Sequence, residues 1–131
     1  VFARTDDQLL LFGNTNGHGV VEERQVDLGG SWQPRTWTQE IITAQRVDSN
    51  TWLVALADGG VERFTYSNAS SLNIAQVPGI RDMALDPLSG LMYLAAGSQV
   101  IAVNSQTGQT AATYPIGGEV RYVLPFFNRQ P

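Results

Sequence analysis

From Gln8 onward, short apolar runs alternate with clusters of Gly, Asn, Asp, Ser and Pro. No longer segment carries apolar residues at i, i+3, i+4 and i+7 between caps, so the pattern predicts strands and no significant helix. The clearest runs are 8–12, 19–26, 39–46, 51–57, 61–66, 81–85, 91–96, 99–104, 110–115 and 120–126. Several are apolar at every position: "LLLF" (9–12), "WLVALA" (52–57) and "LMYLAA" (91–96). A strand with one wet face alternates apolar and polar residues, so these runs predict strands covered on both faces. Short strands at regular turn spacing imply an all-β sandwich or propeller.

Internal repetition separates those two. "AQRVDSNTWLVALADGGVERFTYSN" (44–68) aligns with "DMALDPLSGLMYLAAGSQVIAVNSQTG" (82–108). In each, an Asp (Asp48, Asp86) closes an apolar strand and opens a turn, followed by a hydrophobic strand, a Gly turn and an alternating strand. The displacement is about 39 residues, close to the ~40–50 of a four-stranded propeller blade. A looser copy, "ARTDDQLLLFG" (3–13), sets Arg4 and Asp6 where Arg46 and Asp48 fall. Residues 82–118 resemble the blade repeats of YVTN and quinoprotein-like (WD-like) β-propellers, with Tyr93, Val103, Thr107, Gly108, Ile116 and Gly117 at the characteristic places. Residues 39–79 follow the same pattern more loosely, and no Trp-Asp dipeptide is present.

The resemblance implies an all-β, propeller-like domain of about three four-stranded antiparallel blades, a partial or open propeller. The expected units are 3–38, 39–79 and 80–118, with a closing strand at 119–127. Residues 1–3 and 120–126 read as two parts of the innermost-strand pattern. Propeller rings take about four to eight blades, so three need completion. The chain is expected to be a piece of a larger protein, completed by the rest of its polypeptide, by further copies of itself as a homo-oligomer, or by a protein partner. A compact open β-domain with both ends paired is the alternative.

Composition narrows the chemistry. The chain has 131 residues and a net charge of −4, and all eight basic residues are Arg. Nucleic acid held through phosphates is therefore not an expected partner. Absence of Lys removes Schiff-base chemistry and the P-loop lysine. Absence of Cys removes disulfides, thiol catalysis and Cys-ligated metals. No apolar run approaches a membrane span, and direct membrane contact within this segment is not expected.

Candidate sites are few. His18, the single His, lies in "GNTNGHGVV", a loop without the carboxylates a calcium site needs. No G-x-S-x-G context surrounds any Ser. The pairs Asp6–Asp7 and Glu22–Glu23 are adjacent on strands, so their side chains point to opposite faces and cannot flank one bond. No catalytic residue, cofactor or metal site is expected. "SWQPRTW" offers Trp32, Arg35 and Trp37 as a binding surface, Trp and Arg being favoured at hot spots, or as packing of an outer strand or an inter-blade crossing. In "RYVLPFF", Arg121, Tyr122, Val123, Leu124, Phe126 and Phe127 form a strand that must be covered, hence ring closure or interface. "NAS" at Asn68 is a glycosylation sequon in a secreted eukaryotic protein. The expected function is a non-catalytic protein-interaction or sensing module, periplasmic or extracellular, within a larger bacterial membrane protein such as a transporter permease. The alternatives are a fragment of a propeller hydrolase or quinoprotein, and a glycan-binding adhesin with Trp32, Trp37 and Tyr93 as platforms.

Overall fold

The computed structural model describes residues 2–5, 8–25 and 31–124. Among them, β1 (Phe2–Thr5), β2 (Gln8–Thr15), β3 (His18–Gln25) and β4 (Ser31–Trp37) form one antiparallel sheet in chain order. The second sheet is built the same way from β5 (Ile41–Asp48), β6 (Thr51–Leu56), β7 (Gly60–Thr65) and β8 (Ser70–Gln76). The third comprises β9 (Ile80–Asp86), β10 (Leu91–Ala96), β11 (Gln99–Asn104) and β12 (Thr110–Pro115). A single 3-10 turn, Tyr66–Asn68, is the only helical element described. The first strands begin at Phe2, Ile41 and Ile80, two equal steps of 39 residues.

The sheets stack through two hydrophobic clusters, and β6 belongs to both. Trp52, Val54 and Leu56 meet Leu10, Phe12, Val21 and Trp37 of the first sheet, while Phe64 of β7 joins them. Leu53 and Ala55, with Val61, meet Met83, Met92, Leu94 and Val103 of the third. Adjacent side chains on a strand point to opposite faces. A strand lying between two sheets therefore needs apolar residues on both faces, and β6 is buried at all six positions and apolar at all but Thr51. The first strands of the second and third sheets, β5 and β9, run beside each other, as inner strands do in a propeller arc.

Turn chemistry positions the sheets. Asp48 Oδ1 accepts the Asn50 N–H at 2.9 Å, and Asp86 Oδ1 accepts that of Leu88 at 2.9 Å, the two Asx turns falling at corresponding places in the repeat. The Asn50 backbone bond holds the Asp48 carboxyl below its ordinary range. Ser89, then the Leu88 N–H, does the same for Asp86. Asn16 and Gly17, at φ 52° and 80°, close the β2–β3 hairpin as a two-residue turn of the I′ kind. Gly108, at φ 78°, packs the β11–β12 turn onto β8 so closely that a Cβ there would overlap the Ile74 carbonyl.

Two edge strands escaped the sequence pattern. β8 reads SSLNIAQ, with too few apolar residues to be found by alternation, and it is held by backbone pairing with β7. β4 contains Pro34, which has no N–H to give, but it is an edge strand with a register shift between Val21 and Glu23 of its partner. Edges and bulges are where a strand tolerates proline. The expected closing strand at 119–127 differs: residues 119–124 form no strand, and 125–127 lie outside the described residues. Val120 instead donates its N–H to the Gly97 carbonyl at 2.8 Å, and Val123 donates to the Asp82 carboxylate at 2.9 Å. Those bonds lay the segment against the third sheet without a ladder of its own.

Candidate functional site

The register of β4 decides what its aromatic patch can do. Trp32 pairs with Glu23, Arg35 with Val21 and Trp37 with Gly19. The bulge lets 32, 35 and 37 share one face despite their uneven spacing, and that face looks at the second sheet. Trp37 is only 4% exposed, so its ring belongs to the junction between sheets and not to an outer surface. Its Nε1–H donates to Glu62 Oε1 at 3.1 Å, and the Arg35 guanidinium lies 5.3 Å from its ring centroid. Glu62 also accepts the Ser71 hydroxyl and stands 4.0 Å from Arg35 Nη2.

Further out, Trp32 remains 54% exposed and meets Tyr66 edge-on at 6.4 Å. Burial, then a hydrogen bond to the Glu23 carboxylate, pushes the Tyr66 phenol up to about 12. Glu22 points the other way and pairs with Arg24 at 3.2 Å, so the two adjacent glutamates do serve opposite faces. Trp32, Arg35 and Trp37 are thus brought together with Glu62 and Tyr66, partners from another sheet that no local pattern announces. The residues of the C-terminal patch are placed differently. Tyr122 and Leu124 are 79% and 85% exposed, while Val123 is half-buried over Asp82. Glu119 forms ion pairs with Arg81 and Arg121. Phe126 and Phe127 lie outside the described residues.

One further feature was not singled out from sequence as a cleft. In these sheets the middle hairpin and the link to the next sheet emerge at the same end. In the second sheet they close on each other, Val77 N–H donating to the Gly59 carbonyl at 2.8 Å. In the third, Ile116 N–H donates to the Ser98 carbonyl at 2.8 Å. In the first sheet the hairpin strands β2 and β3 have eight residues each, against six in β6, β7, β10 and β11. Here the link is bonded below the tip, through Gly19 N–H to the Gln39 carbonyl at 2.9 Å, and Asn14 grips both backbone groups of Ile41. A cleft of about 430 Å³ is left between them. The hairpin lines it with Thr15, Asn16, His18 and Val20; β4 and the link add Gln33, Thr36, Trp37 and Thr38. Among the described residues, no group of three or more His, Asp or Glu could hold a metal ion, and no helix is long and apolar enough to cross a membrane.

No family model and no curated protein matches the chain. Its shape does have counterparts among solved structures. The computationally designed protein Ika8 matches over 97% of this chain and 39% of its own, at 16% identity and TM-score 0.69. The N-terminal domain of Nup159, a propeller, matches over 88% of this chain and 30% of its own, at 10% identity and TM-score 0.64. The extracellular domain assigned to a one-component system of B. thetaiotaomicron matches over 83% and 16%, at 18% identity and TM-score 0.60. The chain therefore spans about two fifths or less of these three. At such identities the likeness concerns fold alone. The protein is an all-β, propeller-like arc of three four-stranded antiparallel sheets.

Proposed function

We propose that the chain is a non-catalytic interaction or sensing module, part of a larger propeller whose next sheet stacks on the third. One observation carries the larger-propeller part of this reading. The face of the second sheet that meets the third presents Leu53, Ala55 and Val61, and the corresponding face of the third presents Tyr93, Ala95 and Val100, with Ala102 and Tyr114 in register beside them. Tyr114 on that face is 49% exposed, and Tyr122 and Leu124 are more so. Apolar side chains prepared in the same way as a covered face call for a covering sheet. The rest of the natural polypeptide is the proposed source, and the segment 119–124 the point from which it continues.

The chain has no cysteine, so a single introduced one reports on its own surroundings. Tyr114→Cys is expected to react with a maleimide at least about tenfold more slowly in the natural full-length protein than in the 131-residue chain, as burial behind a packed sheet requires. Equal rates would overturn the completed-propeller reading. The module is further proposed to work outside the cytoplasm, supported by an extracellular domain among its fold counterparts. Leu88→Cys, at an 81% exposed position, should then be labelled on intact cells by a membrane-impermeant maleimide. Labelling only after lysis would reject that location.

A further inference from the structure

We propose that the cleft at the loop end of the first sheet binds a neutral, polyhydroxylated ligand of mono- or disaccharide size. The cleft goes beyond the module reading and does not depend on it, since the sheets can stack whether or not it is filled.

The three sheets repeat one plan, and the plan is broken here. Where the second and third sheets tie hairpin to link by a backbone hydrogen bond at the tip, the first lengthens the hairpin and leaves a gap. That gap carries the only histidine of the chain together with three threonine hydroxyls and two side-chain amides. Its volume, about 430 Å³, falls within the ~300–1,000 Å³ of small-molecule sites.

The lining chooses the ligand class. No Arg, Asp or Glu contributes to it. A hard cation would need carboxylates, and a phosphate or sulfate would need guanidinium or helix N-terminal groups. Thr15, Thr36, Thr38, Asn16 and Gln33 each donate and accept, and His18 adds two ring nitrogens. A sugar ring presents hydroxyls that do the same, so every contact can be matched without an ionic partner. Val20 supplies the apolar part of the lining, whereas the Trp37 ring is buried in the junction with the second sheet and its N–H is committed to Glu62. Trp32, the exposed indole, lies among the junction residues and takes no part in the lining.

Saturation-transfer NMR on the 131-residue chain tests the proposal with neutral hexoses and their disaccharides, beside glucuronate and glucosamine as charged counterparts. Saturation transfer to a neutral sugar is expected, with chemical-shift changes confined to His18, Thr36, Thr38 and their neighbours. His18→Ala and Thr36→Val should each weaken binding about tenfold, the loss of one well-made hydrogen bond, with the dispersed spectrum of the fold retained. Should Thr36→Val disturb the fold, Thr36→Ser keeps the hydroxyl and is expected to bind as the parent does. No transfer from any neutral sugar, preference for a charged one, or binding that both variants leave unchanged would each overturn the proposal.

Discussion

Between the first and second sheets a group of aromatic rings sits among the aliphatic side chains: Phe12, Trp37, Trp52 and Phe64, with Tyr66 and Trp32 towards the rim. Between the second and third the meeting side chains are aliphatic: Leu53, Ala55, Val61, Ile80, Met83, Met92, Leu94 and Val103. The aromatic junction is directional. Phe64 stands edge-on to Phe12 at 6.2 Å and to Trp37 at 5.7 Å, and Glu62 hydrogen-bonds Trp37 from the side. The aliphatic junction is a matter of volume and close approach, ended by the Gly108 turn on β8 and by Arg63 donating to the Ser105 carbonyl at 3.0 Å. One repeat thus stacks by two chemistries. The first is sensitive to ring orientation and hydrogen-bond partners, the second to filled space.

The largest effects should come from emptying each junction. Phe64→Ala removes a fully buried ring with three aromatic neighbours and is expected to cost about 4 kcal/mol. Leu94→Ala, equally buried in the other junction, should cost about 3 kcal/mol. Substitution at nearly constant volume separates the chemistries further. Phe64→Leu should still cost about 2 kcal/mol, whereas Met92→Leu should stay below about 1.5 kcal/mol. Urea unfolding of the four variants checks the set, and a Met92→Leu loss matching that of Phe64→Leu would erase the distinction.

Gly108→Ala comes next, at about 2 kcal/mol, because the new Cβ meets the Ile74 backbone as well as an unfavourable positive φ. Gly90 has a similar φ of 74° with nothing within 4 Å of its Cβ position. Gly90→Ala is therefore expected to cost only about 1 kcal/mol. The difference between the two isolates the close approach of sheets from backbone strain. On the aromatic side, Glu62→Ala strands the Trp37 N–H and the Ser71 hydroxyl and should cost about 2 kcal/mol. Glu62→Gln keeps an acceptor and should cost less than half as much in the same unfolding experiment.

How much of this was legible in the sequence follows from the range of each interaction. The buried strands were readable because facing two sheets forces a continuous apolar run, as in 52–56. Asp48 and Asp86 were readable because an Asx turn is made within three residues. β8 was not, because an edge strand needs no apolar code, and β4 was visible only as an aromatic patch or outer strand. The patch Trp32, Arg35 and Trp37 was visible as residues, but its role depends on Glu62, 25 residues on from Trp37 and in another sheet. The cleft depends on what the hairpin fails to touch, which only the folded chain reveals. Residues 119–124 had the apolar content of a strand without a neighbour to pair with among the described residues.

A small effect at neutral pH should be the most specific to the aromatic junction. Tyr66 sits at its rim between Trp32 and Trp52 and donates a hydrogen bond from its hydroxyl to the Glu23 carboxylate. Ionising the phenol in the folded protein would create an anion that is desolvated, can no longer donate to Glu23 and faces its carboxylate, hence the rise to about 12. In the unfolded chain the phenol ionises near its ordinary value of 10. Below that pH both states hold the proton, and the contribution to stability is complete. Between 10 and 12 the folded state keeps a proton that the unfolded state releases, so stability falls as pH rises and the contribution is lost through the folded pKa. Tyr66→Phe should cost about 1 kcal/mol at neutral pH and flatten that alkaline decline. Nothing comparable is expected from Leu94→Ala, whose junction has no such phenol. Urea midpoints across the alkaline range decide it: a Tyr66→Phe curve parallel to the parent's would mean that the Tyr66–Glu23 bond does not tie the first two sheets together.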